Sequence, residues 1–491
     1  MNAKTLLRAA VLGPLTLAVG GTLAPALAQS QTQPAGTLLD AAPGSLTLSG
    51  ITLYGTFDAA YVYQNHGAPV STIYGSGIEN LAVSAKNAVK SISDFAPSGL
   101  EQSKLGIKGD VPLGAGFSAV FKLETGFSPL SGRLADGPGS VARDSGVSQL
   151  NQVSFGDSSR AGQFLNGPAY GGISHTTFGT LTFGRQQSLM FDAMVQNDPQ
   201  GTSNAFSVLG YVGAPGGGGS TENLRLDDTL KYVLPLGPFR AAGTYAPGGD
   251  GTGLFGRELS ASLNATFGAL SIDAVYMNNT GALSISPLSV SFCTTNICTN
   301  SVGATISDNE AWSIQGKYTL DALAALPGKL TLYGGYEHIA FNNPDTPIAP
   351  GTHSQGGYTL ATTNNANYDT TRILEVAWAG AKYAFAPNWT ATAAYYRYQQ
   401  SSFLTGAAPT SCAAATATNA ANASRGSFIG KPVASNCAGA LDDASLMVDW
   451  QATQRLDLYA GINYSIAGGG IASGYPNSSI TELMTGARFH F

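Results

Sequence analysis

The sequence predicts an all-β fold, a transmembrane antiparallel β-barrel of 16 strands. Three observations predict it: apolar and polar residues alternate with period two, the links between alternating segments are short and long in turn, and no apolar run beyond the first 28 residues is long enough for a spanning helix.

The beginning of the chain stands apart from this pattern. Lys4 and Arg8 precede an apolar stretch, 9–27, which ends in Ala26, Leu27 and Ala28. A basic start, an apolar stretch and a small-residue cleavage site make residues 1–28 a secretory signal peptide. Gly13, Pro14, Gly20, Gly21 and Pro25 interrupt the stretch, which argues against a membrane anchor. Residues 29–49 are then an N-terminal extension and residues 50–491 the barrel.

Without the signal, 22 basic residues face 30 acidic ones and the net charge is −8. A chain this acidic is a poor nucleic-acid binder, so no nucleic-acid partner is expected. Only 11% of residues are charged, while Gly stands at 62 and Met at 6. Such a chain either buries much of its surface or meets a non-aqueous solvent, and in a bilayer without spanning helices only a closed sheet satisfies the backbone.

Four cysteines fall in two local pairs, Cys293 with Cys298 and Cys412 with Cys437. In an exported chain they read first as two disulfides. A metal site is the alternative for the closer pair, but no His lies near either pair, so neither a metal nor a cofactor is expected.

Alternation marks the strands. Leu259, Ala261, Leu263, Ala265 and Phe267 interleave with Glu258, Ser260, Ser262, Asn264 and Thr266; Trp312, Ile314, Tyr318 and Leu320 with Ser313, Gln315, Lys317 and Thr319; and Leu456, Leu458, Ala460, Ile462 and Tyr464 with Arg455, Asp457, Tyr459, Gly461 and Asn463. The 16 strands fall near 50–64, 101–112, 116–127, 168–177, 179–188, 225–235, 238–247, 256–267, 269–280, 309–321, 328–341, 370–385, 388–401, 440–451, 454–466 and 479–491. Strands 12 and 13 alternate poorly, with Arg372 and Trp378 on one parity and Glu375 and Phe385 on the other, a blurring that contact between subunits would produce.

A soluble sandwich also alternates, so the links must decide. Seven of them are tight, such as 113–115, 236–237, 386–387 and 452–453, and eight are mostly long and rich in Gly, Ser, Asn and Pro. Short periplasmic turns opposite long extracellular loops describe a barrel of the outer membrane. Tyr61, Tyr63, Phe127, Tyr232, Phe267, Tyr276, Trp389, Trp450 and Phe489 near strand ends would supply its aromatic girdles. In the last strand Leu483, Ala487, Phe489 and Phe491 share a parity, and a strand ending in an aromatic resembles the signal read by outer-membrane insertion machinery, with Phe491 at its end.

Four stretches narrow the resemblance: 51–58 (ITLYGTFD), 103–110 (SKLGIKGD), 178–186 (FGTLTFGRQ) and 486–491 (GARFHF). Together they resemble the general porins of the Gram-negative outer membrane, which are trimeric and 16-stranded. The resemblance implies a homotrimer in outer-membrane lipid, passing small hydrophilic solutes and ions through a water-filled lumen. It also implies a third long loop folded into the lumen, here about 187–223, with Asp192 and Asp198 on it.

Parity places a basic wall opposite. Leu105 and Ile107 face lipid, so Lys104 and Lys108 face the lumen; Lys122 and Glu124 follow against Phe121 and Leu123, and Arg225 against Leu224 and Leu226. By resemblance Lys104, Lys108, Arg185 and Arg225 occupy the basic cluster. The family often has Arg where this chain has Lys104, a more flexible point charge. Arg185 shares parity with the lipid-facing Leu181 and Phe183, so a bulge at Gly184 is expected to turn it inward. Bases facing acids across a narrow wet gap orient dipolar solutes, and four bases against two loop acids predict a weak anion preference.

An enzyme is not expected. There is no Gly-x-Ser-x-Gly, His66, His175, His338, His353 and His490 are scattered, and the glycine pattern at 251–256 lies in a hairpin loop. The stronger rival is a substrate-specific channel for sugars or organic acids, guided by aromatics such as Tyr54 and Tyr459.

Overall fold

In the strand Arg257–Phe267, Leu259 and Leu263 are 57% and 48% exposed while Glu258 and Ser260 are buried. That inverts the pattern of a soluble sheet and is what a sheet bathed in hydrocarbon requires. The computed structural model describes residues 46–65, 84–86, 91–147, 153–155, 163–209, 225–248, 256–320, 328–355, 357–403, 405, 436–472 and 479–491. The signal segment and Cys412 lie outside the described residues.

The wall is a closed barrel of 16 antiparallel strands. They are β1 (Ile51–Gln64), β2 (Lys104–Gly114), β3 (Phe117–Gly126), β4 (Ala169–His175), β5 (Gly179–Gln187), β6 (Arg225–Leu236), β7 (Phe239–Ala246), β8 (Arg257–Phe267), β9 (Leu270–Ser286), β10 (Ser301–Leu320), β11 (Lys329–Asn342), β12 (Arg372–Ala386), β13 (Trp389–Gln400), β14 (Gly439–Gln451), β15 (Leu456–Gly469) and β16 (Ser479–His490). Neighbours in sequence are neighbours in space, and β1 pairs with β16 from Thr56 opposite His490 to Gln64 opposite Glu482. Gly55 and Phe491 exchange two main-chain hydrogen bonds, 3.0 and 3.1 Å, at the foot of this seam. Among the described residues no helix is long and apolar enough to cross a membrane.

The short turns gather at one rim. Between β2 and β3 the chain reverses through Gly114, Ala115 and Gly116, all with positive φ, a conformation glycine adopts without penalty. At that rim Trp389 stacks on Trp450 with centroids 5.4 Å apart, and Phe239 meets Phe267 edge to face at 5.6 Å, forming part of the outward aromatic girdle.

At the other rim three departures from the sequence reading matter. The strands β9 and β10 run well past 280 and before 309, because their outer ends pair with each other and with the hairpin Gly351–Gln355 and Tyr358–Asn364. A bulge, with residues 280 and 281 set against Asp308, bends that hairpin where it leaves the wall. The second strand starts at Lys104, because residues 97–103 leave the wall after a short strand, Ile92–Ala96, paired to β1.

The blurred parity of strands 12 and 13 has its cause inside the barrel. Leu374, Val376, Trp378, Tyr396 and Tyr398 are buried and packed against an inward loop, so β12 carries apolar residues on both faces. Among the described residues three α-helices lie in loops: α1 (Gly137–Asp144), α2 (Leu189–Asn197) and α3 (Val290–Thr295). Cys293 and Cys298 form a disulfide across the end of α3, and Cys437 is disulfide-bonded as well.

Candidate functional site

Ser188 follows β5 and starts the inward loop. Its hydroxyl accepts the Phe191 N–H at 3.2 Å and caps α2. The helix has an apolar face of Leu189, Met190, Ala193 and Met194, and this face packs inside the barrel on Val275, Met277, Ala311, Ile339 and Trp378. Burying such side chains contributes roughly 1.5–3 kcal/mol each, enough to hold a loop in the lumen.

Past the helix the loop backbone is held by the wall. Its carbonyls receive hydrogen bonds from Trp378 (Asn197 O, 3.1 Å), Tyr398 (Val208 O, 3.1 Å), Ser445 (Phe206 O, 2.7 Å) and Asn463 (Ala205 O, 3.3 Å). Buried carbonyls need such donors, so the side chains of β12 to β15 dictate the loop's path. Asp198 is buried at the C-terminus of α2, where its carboxylate accepts from the Tyr396 hydroxyl at 2.6 Å and from the N–H groups of Gln200 and Thr202 at 3.2 and 2.6 Å. Burial raises its pKa against the pull of those donors.

A second segment folds inward and meets the first. The Asn204 amide donates to Ser98 Oγ at 2.6 Å, and the Ala205 N–H to the Gly99 carbonyl at 2.8 Å. The segment is anchored by Asp58 on β1, whose Oδ2 accepts the N–H groups of Leu100 and Glu101 at 2.7 and 2.8 Å. Tyr459 donates to the other oxygen of Asp58 and sets its hydroxyl end against two glycines. A Cβ on Gly99 would sit 2.1 Å from the Tyr459 hydroxyl, and one on Gly486 2.3 Å from it.

Among the described residues, three groups of charged side chains bear on the inward loop and the wall around it. On β1 to β3, Lys108 and Lys122 lie 5.5 and 5.6 Å from the Tyr54 ring centre, Tyr54 donates to Glu124 at 2.9 Å, and Lys122 reaches Glu124 at 3.7 Å. Beside α2, Asp192 is paired with Lys231, and the two line a recess with Arg240 and Asp273. Tyr170 lies within electrostatic reach of both Asp192 and Glu124, which links these two groups. The third group joins Glu101 to Lys104, to Arg488 at 3.6 Å and to His490 at 3.7 Å, and Arg488 to Asp457 at 2.8 Å. Burial disfavours charge on Glu101, yet Lys104, Arg488 and His490 outweigh it and hold its pKa down at about 2.

Of the residues the sequence singled out, the structure brings Lys108, Lys122 and Glu124 together around Tyr54 and sets Asp192 on Lys231 beside α2. It sets Asp198 apart, turned into the apolar packing under the loop. Arg185 is 6% exposed and paired with Asp227 at 2.7 Å. Gly184 has φ +127°, while the register slips on the β6 side, where Asp227 and Asp228 together face Arg185. Arg225 sits opposite Gln187 at the start of β6, nearly buried.

Lys231, Arg240, Lys317 and Arg488 were not singled out. Parity was enough to find Lys231, which stands between the outward Leu230 and Tyr232, and Lys317, whose Nζ donates to the Gln196 carbonyl at 3.1 Å. Parity also puts Arg488 on the inner face, between Ala487 and Phe489, but its partners Glu101 and Asp457 come from other segments and no local pattern names them.

A sequence model of the family described as Gram-negative porin matches residues 15–470. No curated protein gives a significant match. Among solved structures, an anion-selective porin from Comamonas acidovorans is 15% identical, with 90% of this chain and 99% of that chain covered and a TM-score of 0.53. OmpT, an outer membrane protein of Vibrio cholerae folded in vitro, is 12% identical, with 91% and 99% covered and a TM-score of 0.51. At these identities the likeness shows the fold.

Proposed function

Because the chain belongs to the Gram-negative porin family and forms a channel of the outer membrane, we propose that it is a general porin: a wet passage for passive diffusion of small hydrophilic solutes and ions, with a weak preference for anions. The observation that carries this reading is the inward loop. It narrows the lumen and presents Asp192 to a wall that carries Lys231, Arg240 and Asp273, while Lys108 and Lys122 gather around Tyr54 beside Glu124.

Charges held on opposite sides of a narrow gap order water and admit dipolar solutes, and the sign in excess favours its counter-ion. Anion selectivity in the Comamonas acidovorans relative accords with this sign. The same reading takes residues 1–28 as the signal peptide, 29–49 as an extension and the assembly as a homotrimer, and it assigns no catalytic step.

The test is a planar bilayer across a salt gradient. Linear conductance with a reversal potential of anion-favouring sign supports the general porin. Conductance that saturates with one sugar or organic acid supports the substrate-specific channel, for which Tyr54 is the aromatic guide; Tyr459, the other aromatic the sequence offered, is buried against Asp58, Gly99 and Gly486 and does not meet the solute.

A further inference from the structure

Both ends of the loop between β3 and β4 are fixed at the end of β3. Asn166 donates to the carbonyls of Gly126 and Ala135 at 2.9 and 3.2 Å and accepts the Gly126 N–H at 2.7 Å, while the Ala135 N–H bonds Gly126 O at 2.9 Å. One residue later Asp136 receives the hydroxyl of Tyr358, from the hairpin between β11 and β12, and caps α1 through the Gly139 N–H at 3.0 Å. At the far end of α1, Ser145 Oγ donates to the Ser301 carbonyl at 2.8 Å and accepts the Leu288 N–H at 3.0 Å, and the Gly146 N–H bonds Leu288 O at 2.9 Å. Val141 and Ala142 pack on Ile285, Val302, Ala304 and Leu360.

These anchors belong to opposite sides of the barrel. With strands about 4.8 Å apart and tilted by about 40°, a 16-stranded barrel has a radius of roughly 16 Å, so the rims of β3 and β10 are roughly 31 Å apart across the mouth. Residues 135–145 are mostly helical and span only about 19 Å. The tips of β9 and β10 must therefore lean inward to be met, as the bulge at Asp308 allows. Gly146, with φ +78°, lies so near Cys293 that a Cβ there would come within 2.9 Å of it, so the strap rests on the disulfide-closed tip.

We infer that α1 and the leaning β9–β10 hairpin form a fixed arch over the extracellular mouth, which excludes bulky solutes before they reach the inward loop. The inference rests on the channel reading. The arch has its own apolar packing and latches at both ends, as a standing structural element requires.

Polyethylene glycols of rising mass, added to one compartment at a time over channels inserted in one orientation, read the access to each mouth separately. The expected result is two different size cut-offs. In a variant with residues 136–146 replaced by a short glycine linker, the smaller cut-off rises toward the larger, which stays in place. Equal cut-offs in the unaltered protein, or an undiminished difference in the variant, overturn the arch. Should the shortened chain fail to insert, the variant V141D/Y358F/S145A breaks the apolar packing together with both side-chain latches, and a difference it leaves undiminished overturns the arch as well. Small-ion conductance in the same recordings tests the channel reading separately.

Discussion

The indole nitrogen of Trp378 donates to the main-chain carbonyl of Asn197 at 3.1 Å, tying the wall strand β12 to the last residue of the helix inside the barrel. The same ring covers Gly335, where a Cβ would sit 2.1 Å from it. Replacing Trp378 by Phe leaves a buried carbonyl without its donor, at a cost of about 1–3 kcal/mol. The expected outcome is a loosened inward loop, seen in single-channel records as added open-state noise with the barrel still resistant to unfolding in detergent.

Selectivity should follow the group around Tyr54. Exchanging Lys108 and Lys122 together for Glu turns two positive side chains negative beside Glu124. The reversal potential is expected to move toward cations, further than for the pair K104E/R225E, because Lys104 is already bound to Glu101 and Arg225 is nearly buried. Equal shifts for the two pairs would remove the assignment of Lys108 and Lys122 to the passage.

The Gly486→Ala substitution should weaken the seam between β1, β15 and β16. The added carbon would meet the Tyr459 hydroxyl at 2.3 Å and the Ala59 carbonyl at 2.9 Å. Overpacking of this kind costs about 1–3 kcal/mol. A lower temperature for the heat-induced shift in gel mobility is the measurement, and an unchanged one contradicts the packing described.

Acid should loosen the second inward segment through Glu101. Its carboxyl titrates near 4.5 when unfolded and about 2 when folded. The folded value is the lower, so its contribution to stability is complete above about 4.5 and is lost as the pH falls toward 2. E101Q is expected to lower the thermal midpoint at pH 6 and to narrow the gap to the unaltered protein by pH 3. A gap that stays constant over that range contradicts the ion-pair account.

The strands were legible because hydrocarbon outside and water inside impose period two, as with Leu259 against Ser260. The rule fails where the inside is dry. The pleat points Val275, Met277, Ile339, Leu374 and Val376 inward, they are apolar because α2 covers them, and no local pattern distinguishes them from lipid-facing residues. For the same reason residues 101–103 read as wall strand, although Asp58, 43 positions before Glu101, draws them inward. Lys108, Lys122 and Glu124 were legible by parity, and the placement of Asp192 by family resemblance. The burial of Asp198 was not, since Tyr396 lies 198 residues further along the chain.

The dry packing of α2 against β9 to β13 has an evolutionary consequence. Permeating molecules are pushed off the barrel axis toward the opposite arc, so substitutions on that arc can retune what passes with little effect on folding. On the covered arc the same substitutions are selected against as core mutations. Among descendants of one ancestor, divergence in what the channel admits should therefore accumulate on one side of the cylinder while the other side drifts slowly.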